Sequence, residues 1–127
     1  CTPSGGQVTV NVNYTAPEPI AGVVVYIDYD ESEVRIPGTG SQQQVQDRIS
    51  LQTGDFFTPN DLNYALQVVH FDSSTTAFSG STLFQIELDT CTGAAVADDD
   101  FTCRVLSASS DGAPVDVVGA TCTVDVP

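Results

Sequence analysis

The chain has 127 residues, 41% of them apolar, and carries 17 Asp and Glu against three cations, for a net charge of −14. That is one domain with enough apolar side chain to bury a core, which excludes a disordered segment. The charge excludes nucleic acid and anionic lipid as partners, and the lack of any apolar run of spanning length excludes membrane insertion.

All three cations are arginines, Arg35, Arg48 and Arg104. An acidic surface of this kind keeps a protein soluble in crowded or salty water, where its charges are screened. No signal peptide is visible, so the chain reads as a mature domain or an excised module, residues 1–127 as one unit.

Residues 7–14, QVTVNVNY, alternate apolar and polar, a strand with one solvated face. Asn13-Tyr14-Thr15 within it is a glycosylation sequon. Residues 16–19 are a proline-broken loop. Residues 20–30, IAGVVVYIDYD, are dense in β-branched and aromatic side chains and predict the central strand of a sandwich. Val23, Val25, Ile27 and Tyr29 share one side of it; Val24, Tyr26, Asp28 and Asp30 share the other. A turn leads to a short strand at 33–36, stopped by Pro37-Gly38, and then to an exposed Gly, Ser and Gln-rich loop at 39–46.

Short strands are predicted at 48–52 and 56–57, with turns at 53–55 and 58–61. Residues 63–71, NYALQVVHF, make a strong strand, followed by a polar linker at 72–80. Further strands fall at 82–88, 102–107 and 115–126, with a loop at 92–100 ending in three aspartates and an Asp111-Gly112-Ala113-Pro114 turn. Eight or nine short strands, with no helical period and no long repeat, make an all-β, single-domain sandwich.

The four cysteines allow three pairings. None has CxxC spacing and there is one His, which argues against a structural metal site. Cys91 and Cys103 flank one loop, so a local bridge is expected there, with Cys1 and Cys122 joining the first and last strands. The chain-entropy model gives these loops about 3 and about 4.7 kcal/mol. A lipidated Cys1 would instead strand an odd thiol. Two disulfides imply an oxidising setting.

Several stretches, taken in order, resemble the cohesin domains of extracellular scaffold proteins. They are Val8 to Val12; Ile20-Ala21-Gly22 followed by Tyr29-Asp30 and the apolar Val34 and Ile36; Gly54-Asp55-Phe56-Phe57; the apolar strand from Val68 ending in Asp72-Ser73; Gly80 with the Leu83-Phe84 strand; and the closing Asp111-Gly112 turn with the last strand. The chain departs from the family in its Cys91 to Cys103 loop and its lack of Lys. The resemblance implies a nine-stranded jelly roll that binds a dockerin-like protein module through one sheet face and is not an enzyme. It implies an extracellular or cell-surface, monomeric module of a larger protein. No cofactor is implied for this chain, since calcium sits on the dockerin.

By the Tyr-Asp and Asp-Ser landmarks, Ser32, Val68, His70, Asp72 and Ala113 fall on or beside the binding sheet. If Val69 and Phe71 point into the core, alternation sends Leu66, Val68 and His70 outward, and that is the expectation. The opposite parity would make Leu66 and Val68 core.

Catalytic readings are weaker. His70 lies mid-strand and no GxSxG elbow exists, so a strand histidine is expected rather than a Ser-His-Asp site. Asp98-Asp99-Asp100 offers oxygen ligands but lacks the spaced pattern of a calcium loop, and Asp28, Asp30 and Glu31 form a second acidic group. The runner-up function is a carbohydrate-binding or purely structural module; the absence of Trp speaks against a sugar platform.

Overall fold

In this computed structural model, residues 1–15, 20–72, 81–110 and 113–127 are described. The loop expected at 16–19, most of the linker at 72–80 and the Asp111-Gly112 turn lie outside them. Alternation builds two early strands, β1 (Pro3–Thr15) and β2 (Gly22–Tyr29). They are followed by β3 (Val34–Arg35), a single helical turn α1 (Gln43–Gln46), β4 (Ile49–Leu51), β5 (Phe56–Asp61) and β6 (Ala65–Phe71). Then come β7 (Ser81–Cys91), a 3₁₀ turn (Asp98–Asp100), β8 (Phe101–Ser110), β9 (Ala113–Val115) and β10 (Thr121–Asp125).

Two five-stranded antiparallel sheets result. The first runs β10-β1-β7, with β3 and β4 sharing the far edge of β7; the second runs β5-β6-β2-β8-β9. β2 is the middle strand of the second sheet, as its composition predicts. Its Val23, Val25, Ile27 and Tyr29 meet Val10, Val12, Tyr14, Phe84, Ile86 and Leu88 of the first sheet in one buried core. The chain is therefore an all-β sandwich.

The ends of the strands differ from expectation for local reasons. The stretch at 115–126 is two strands, not one, broken at Gly119 with φ 82° and sent to different sheets, so the described residues carry ten strands where nine were expected. Residues 58–61, expected as a turn, continue β5, and Pro59 is tolerated because β5 is the edge of its sheet. The loop expected at 39–46 contains α1, pinned by the wholly buried Val45. In β7, Leu83 and Phe84 are consecutive and both buried, because a bulge opposite Val12 and Asn13 breaks the alternation there.

The disulfides pair Cys1 with Cys91 and Cys103 with Cys122, which corrects the expected Cys91–Cys103 and Cys1–Cys122. Between Cys91 and Cys103 the chain crosses from the first sheet to the second, which separates those two. The first and last strands do pair, but Cys122 sits opposite Tyr14, at the far end of β1 from Cys1. At about 3.3 Å per residue that is roughly 40 Å. The register instead sets Pro3 opposite Cys91, and the Cys1 and Cys91 Cα atoms are 5.2 Å apart. Cys103 and Cys122 bridge the two sheets at 5.3 Å.

Candidate functional site

The two outer faces of the sandwich differ in kind. On the first sheet, polar side chains from three strands bond to one another. Gln85 Nε2 donates to Asn11 Oδ1 at 2.8 Å, Asn11 Nδ2 donates to Asp125 Oδ2 at 3.2 Å, and Thr82 Oγ1 donates to Asn13 Oδ1 at 2.7 Å. The amide of Asn13, the sequon residue, also donates to Asp125. At the far edge Arg48 lies 2.8 Å from Asp89 and 3.4 Å from Glu87, and Arg35 lies 3.8 Å from Asp89.

The outer face of the second sheet carries an apolar and aromatic cluster toward its Gly22 end, with polar side chains such as Asn60, Gln67, Asp28 and Thr102 beyond it. Val69 is 38% and Phe71 40% exposed, and the Phe71 ring stacks on Phe56 at 5.0 Å. Beside them on β2 lie Val24 and Tyr26, because Val24 is opposite Val69 and Tyr26 opposite Gln67. On β8, Arg104 is opposite Tyr26 and its guanidinium carbon sits 4.5 Å from the ring centroid. A bulge opposite Val24 and Val25 leaves Leu106 without a partner on β2 and exposed. Tyr64, the last residue of the turn into β6, is exposed at the end of the same sheet.

The parity expected for β6 is reversed. Leu66, Val68 and His70 are all 0% exposed and belong to the interior. They pair with Ile27, Val25 and Val23, the buried set of β2, so their side chains must share that face. His70 Nε2 is 2.6 Å from the Thr53 carbonyl and its ring meets Phe84 edge-on. Leu66, Val68 and His70 are therefore not surface residues. Val69 and Phe71 take their place, and the signal was Gln67, which shares their side and marks it as wet.

The remaining expected residues are scattered. Ser32 is exposed on the turn after β2, its hydroxyl and amide donating to Asp30 Oδ1 at 2.6 and 2.9 Å. Those two bonds hold the Asp30 carboxyl below its ordinary range. Asp72 is half-buried just past β6, its amide on the Ala21 carbonyl at 2.8 Å, and Ala113 is exposed at the start of β9. Asp72 and Ala113 lie at the Gly22 end of the second sheet, whereas Ser32 lies beyond Tyr29 at the other end. Ser32 borders a polar cleft of about 750 Å³ shared with Tyr29, Glu31, Arg35, Gln44 and Asn63.

The acidic stretches serve local backbone. Asp98 Oδ1 accepts the Val126 amide at 2.7 Å and Asp100 Oδ2 accepts the Ala97 amide at 2.8 Å. Asp30 N–H donates to the Asp100 carbonyl at 3.0 Å, which brings the two acidic turns together. Among the described residues no group of three or more metal-ligating side chains converges.

Compared with known families, curated proteins and solved structures, the chain has no match.

Proposed function

We propose that the chain is a non-catalytic protein-binding module of an extracellular or cell-surface assembly, cohesin-like, with no cofactor of its own, that docks a dockerin-like partner on the outer face of the β5-β6-β2-β8-β9 sheet. The observation that carries this is the run of exposed Phe56, Phe71, Val69 and Leu106 beside Tyr26 and Arg104, on a chain whose other sheet face is polar. Apolar side chains gathered on one sheet face call for a covering surface. The two disulfides support an oxidising environment. A sugar platform needs a row of open aromatic faces; Tyr14 and Tyr29 are buried and Tyr26 lies under Arg104, which leaves Tyr64 as the one exposed tyrosine among the described residues.

The test uses immobilised dockerin modules, with and without a calcium chelator, against Val69→Asp, Phe71→Asp and Val68→Asp. The first two should abolish binding and leave the melting temperature within a degree or two, since surface changes are worth about 0.5 kcal/mol. Val68→Asp should unfold the domain, because a buried unpaired charge costs several kcal/mol. Full binding by Val69→Asp and Phe71→Asp would remove this face from consideration.

A further inference from the structure

We infer that Arg104 selects the partner, by taking a carboxylate that the partner presents among apolar side chains. The inference rests on the binding face proposed above. The chain has three cations and 17 carboxylates. Arg35 and Arg48 both lie on Asp89, and Arg48 also on Glu87. Among the described residues Arg104 has no carboxylate within ion-pair distance, although acids outnumber cations so heavily. The arginine with no ion pair among the described residues is the one that stands beside the apolar cluster, with Asp28 a neighbour on the same face.

Its geometry suits a carboxylate. The guanidinium carbon lies over the Tyr26 ring, 4.5 Å from its centroid, and a guanidinium is a planar fork of N–H donors that matches a carboxylate. Held this way, the side chain has less freedom to lose on binding. Leu106 lies two residues along β8, and Val69 and the Phe56–Phe71 stack lie across β2 toward its Gly22 end, so the acid would sit at the border of the apolar cluster, with Gln67 and Asn60 in the same row as Tyr26. A partner seated on that cluster would cover its border as well, and an ion pair shielded from water is stronger than an exposed one.

Charge decides the rest of the partner's chemistry. A net of −14 repels a polyanion, so nucleic acid phosphates do not fit even though a guanidinium binds phosphate well. Two copies of this chain face the same repulsion. Asp28 shares the outer face two residues beyond Tyr26 and favours a cation or donor there. The partner surface that fits is a protein segment of low net negative charge, with one Asp or Glu set among apolar side chains.

The experiment is selection from a displayed library of short amphipathic segments, run separately on wild type, Arg104→Glu and Phe71→Asp, each checked by melting temperature. Wild type should enrich segments with one Asp or Glu beside apolar residues. Arg104→Glu should bind those clones at least about tenfold more weakly, and replacing their acid with Lys should restore affinity for the variant. Phe71→Asp should enrich nothing. If Arg104→Glu binds the wild-type clones equally well while Phe71→Asp does not, the face stands and the role of Arg104 falls. If Phe71→Asp binds them equally well, the face itself is wrong and both readings fall. Self-association of the wild type in sedimentation at high salt, lost in Arg104→Glu, would make the occupant a second copy and overturn the inference.

Discussion

Two buried polar residues tie the loops to the core. The Tyr29 hydroxyl donates to Asp61 Oδ1 at 2.6 Å, and the Asn63 amide reaches the same oxygen at 3.2 Å. Burial raises the Asp61 pKa, and these two bonds pull against it; burial also raises that of Tyr29. A raised folded value means that the protonated form is the one folding favours, so the contribution of Asp61 is present below about pH 4 and is lost as pH rises through the folded value. Tyr29→Phe should therefore cost about 1–3 kcal/mol at neutral pH and less near pH 4, read by urea denaturation at both. An equal penalty at both values would mean that the carboxylate does not depend on the hydroxyl. His70 has the opposite sign. Burial lowers its pKa against the raising effects of the Thr53 carbonyl, Asp72 and Asp55, so the neutral ring is the folded form. That stability is present above about pH 6.5 and is lost as pH falls through the lowered folded value. The urea midpoint should drop between about pH 7.5 and pH 5, and His70→Gln should flatten that drop; parallel profiles would assign the slope to other groups. Gly54 keeps this site closed: its φ is 75°, and a Cβ there would stand 2.5 Å from His70 Nε2.

At the scale of the elements, the disulfides act on different junctions. Cys1–Cys91 closes a separation of 90 residues and fixes the free end of β1 to β7, while Cys103–Cys122 closes 19 and joins the two sheets where β8 and β10 converge. In the chain-entropy model they contribute about 4.6 and about 3 kcal/mol respectively. Non-reducing peptide mapping should return those two linked pairs. Replacing Cys1 and Cys91 with Ser should lower the melting temperature more than replacing Cys103 and Cys122, with far-ultraviolet circular dichroism unchanged in both. The reverse order would mean that the cross-sheet bridge holds native structure as well as constraining the unfolded chain. The β5 and β10 edges show how strand signals fail near turns: Pro59 and Gly119 are both breakers, yet one sits inside an edge strand and the other lies in the turn between β9 and β10. A proline loses nothing where its nitrogen faces away from the ladder, whereas a glycine at positive φ turns the chain.

For the whole molecule, the large imbalance is one of charge. Arg35 and Arg48 both serve Asp89, so their charge is concentrated at one edge rather than spread over the acidic surface. Repulsion among the remaining carboxylates should destabilise the fold in dilute salt. The melting temperature should rise as sodium chloride goes from about 0.01 to about 1 M, while the Debye length falls from roughly 30 to 3 Å. A flat profile would mean that the acids are too far apart to interact.

Strand existence was legible from sequence because alternation and β-branched content are local properties. Residues 7–14 and 82–88 lie in strands, the stretch expected at 20–30 forms one over Gly22–Tyr29, and the two sides of β2 divide as the alternation required. The same locality set the limits. Alternation placed Leu66, Val68 and His70 on one side of β6 and Gln67, Val69 and Phe71 on the other, but each side holds two large apolar residues and one polar one, so Gln67 was a weak signal. Which side is buried was decided by register against Ile27, Val25 and Val23, a contact between residues some forty positions apart. The cysteines behaved likewise: that all four pair followed from their number and setting, but which sulfurs meet depended on the crossing between sheets and on the register of β1 with β7. Local sequence determines the period of a strand; its sign and its cross-links are set by the neighbours it acquires in the folded sandwich.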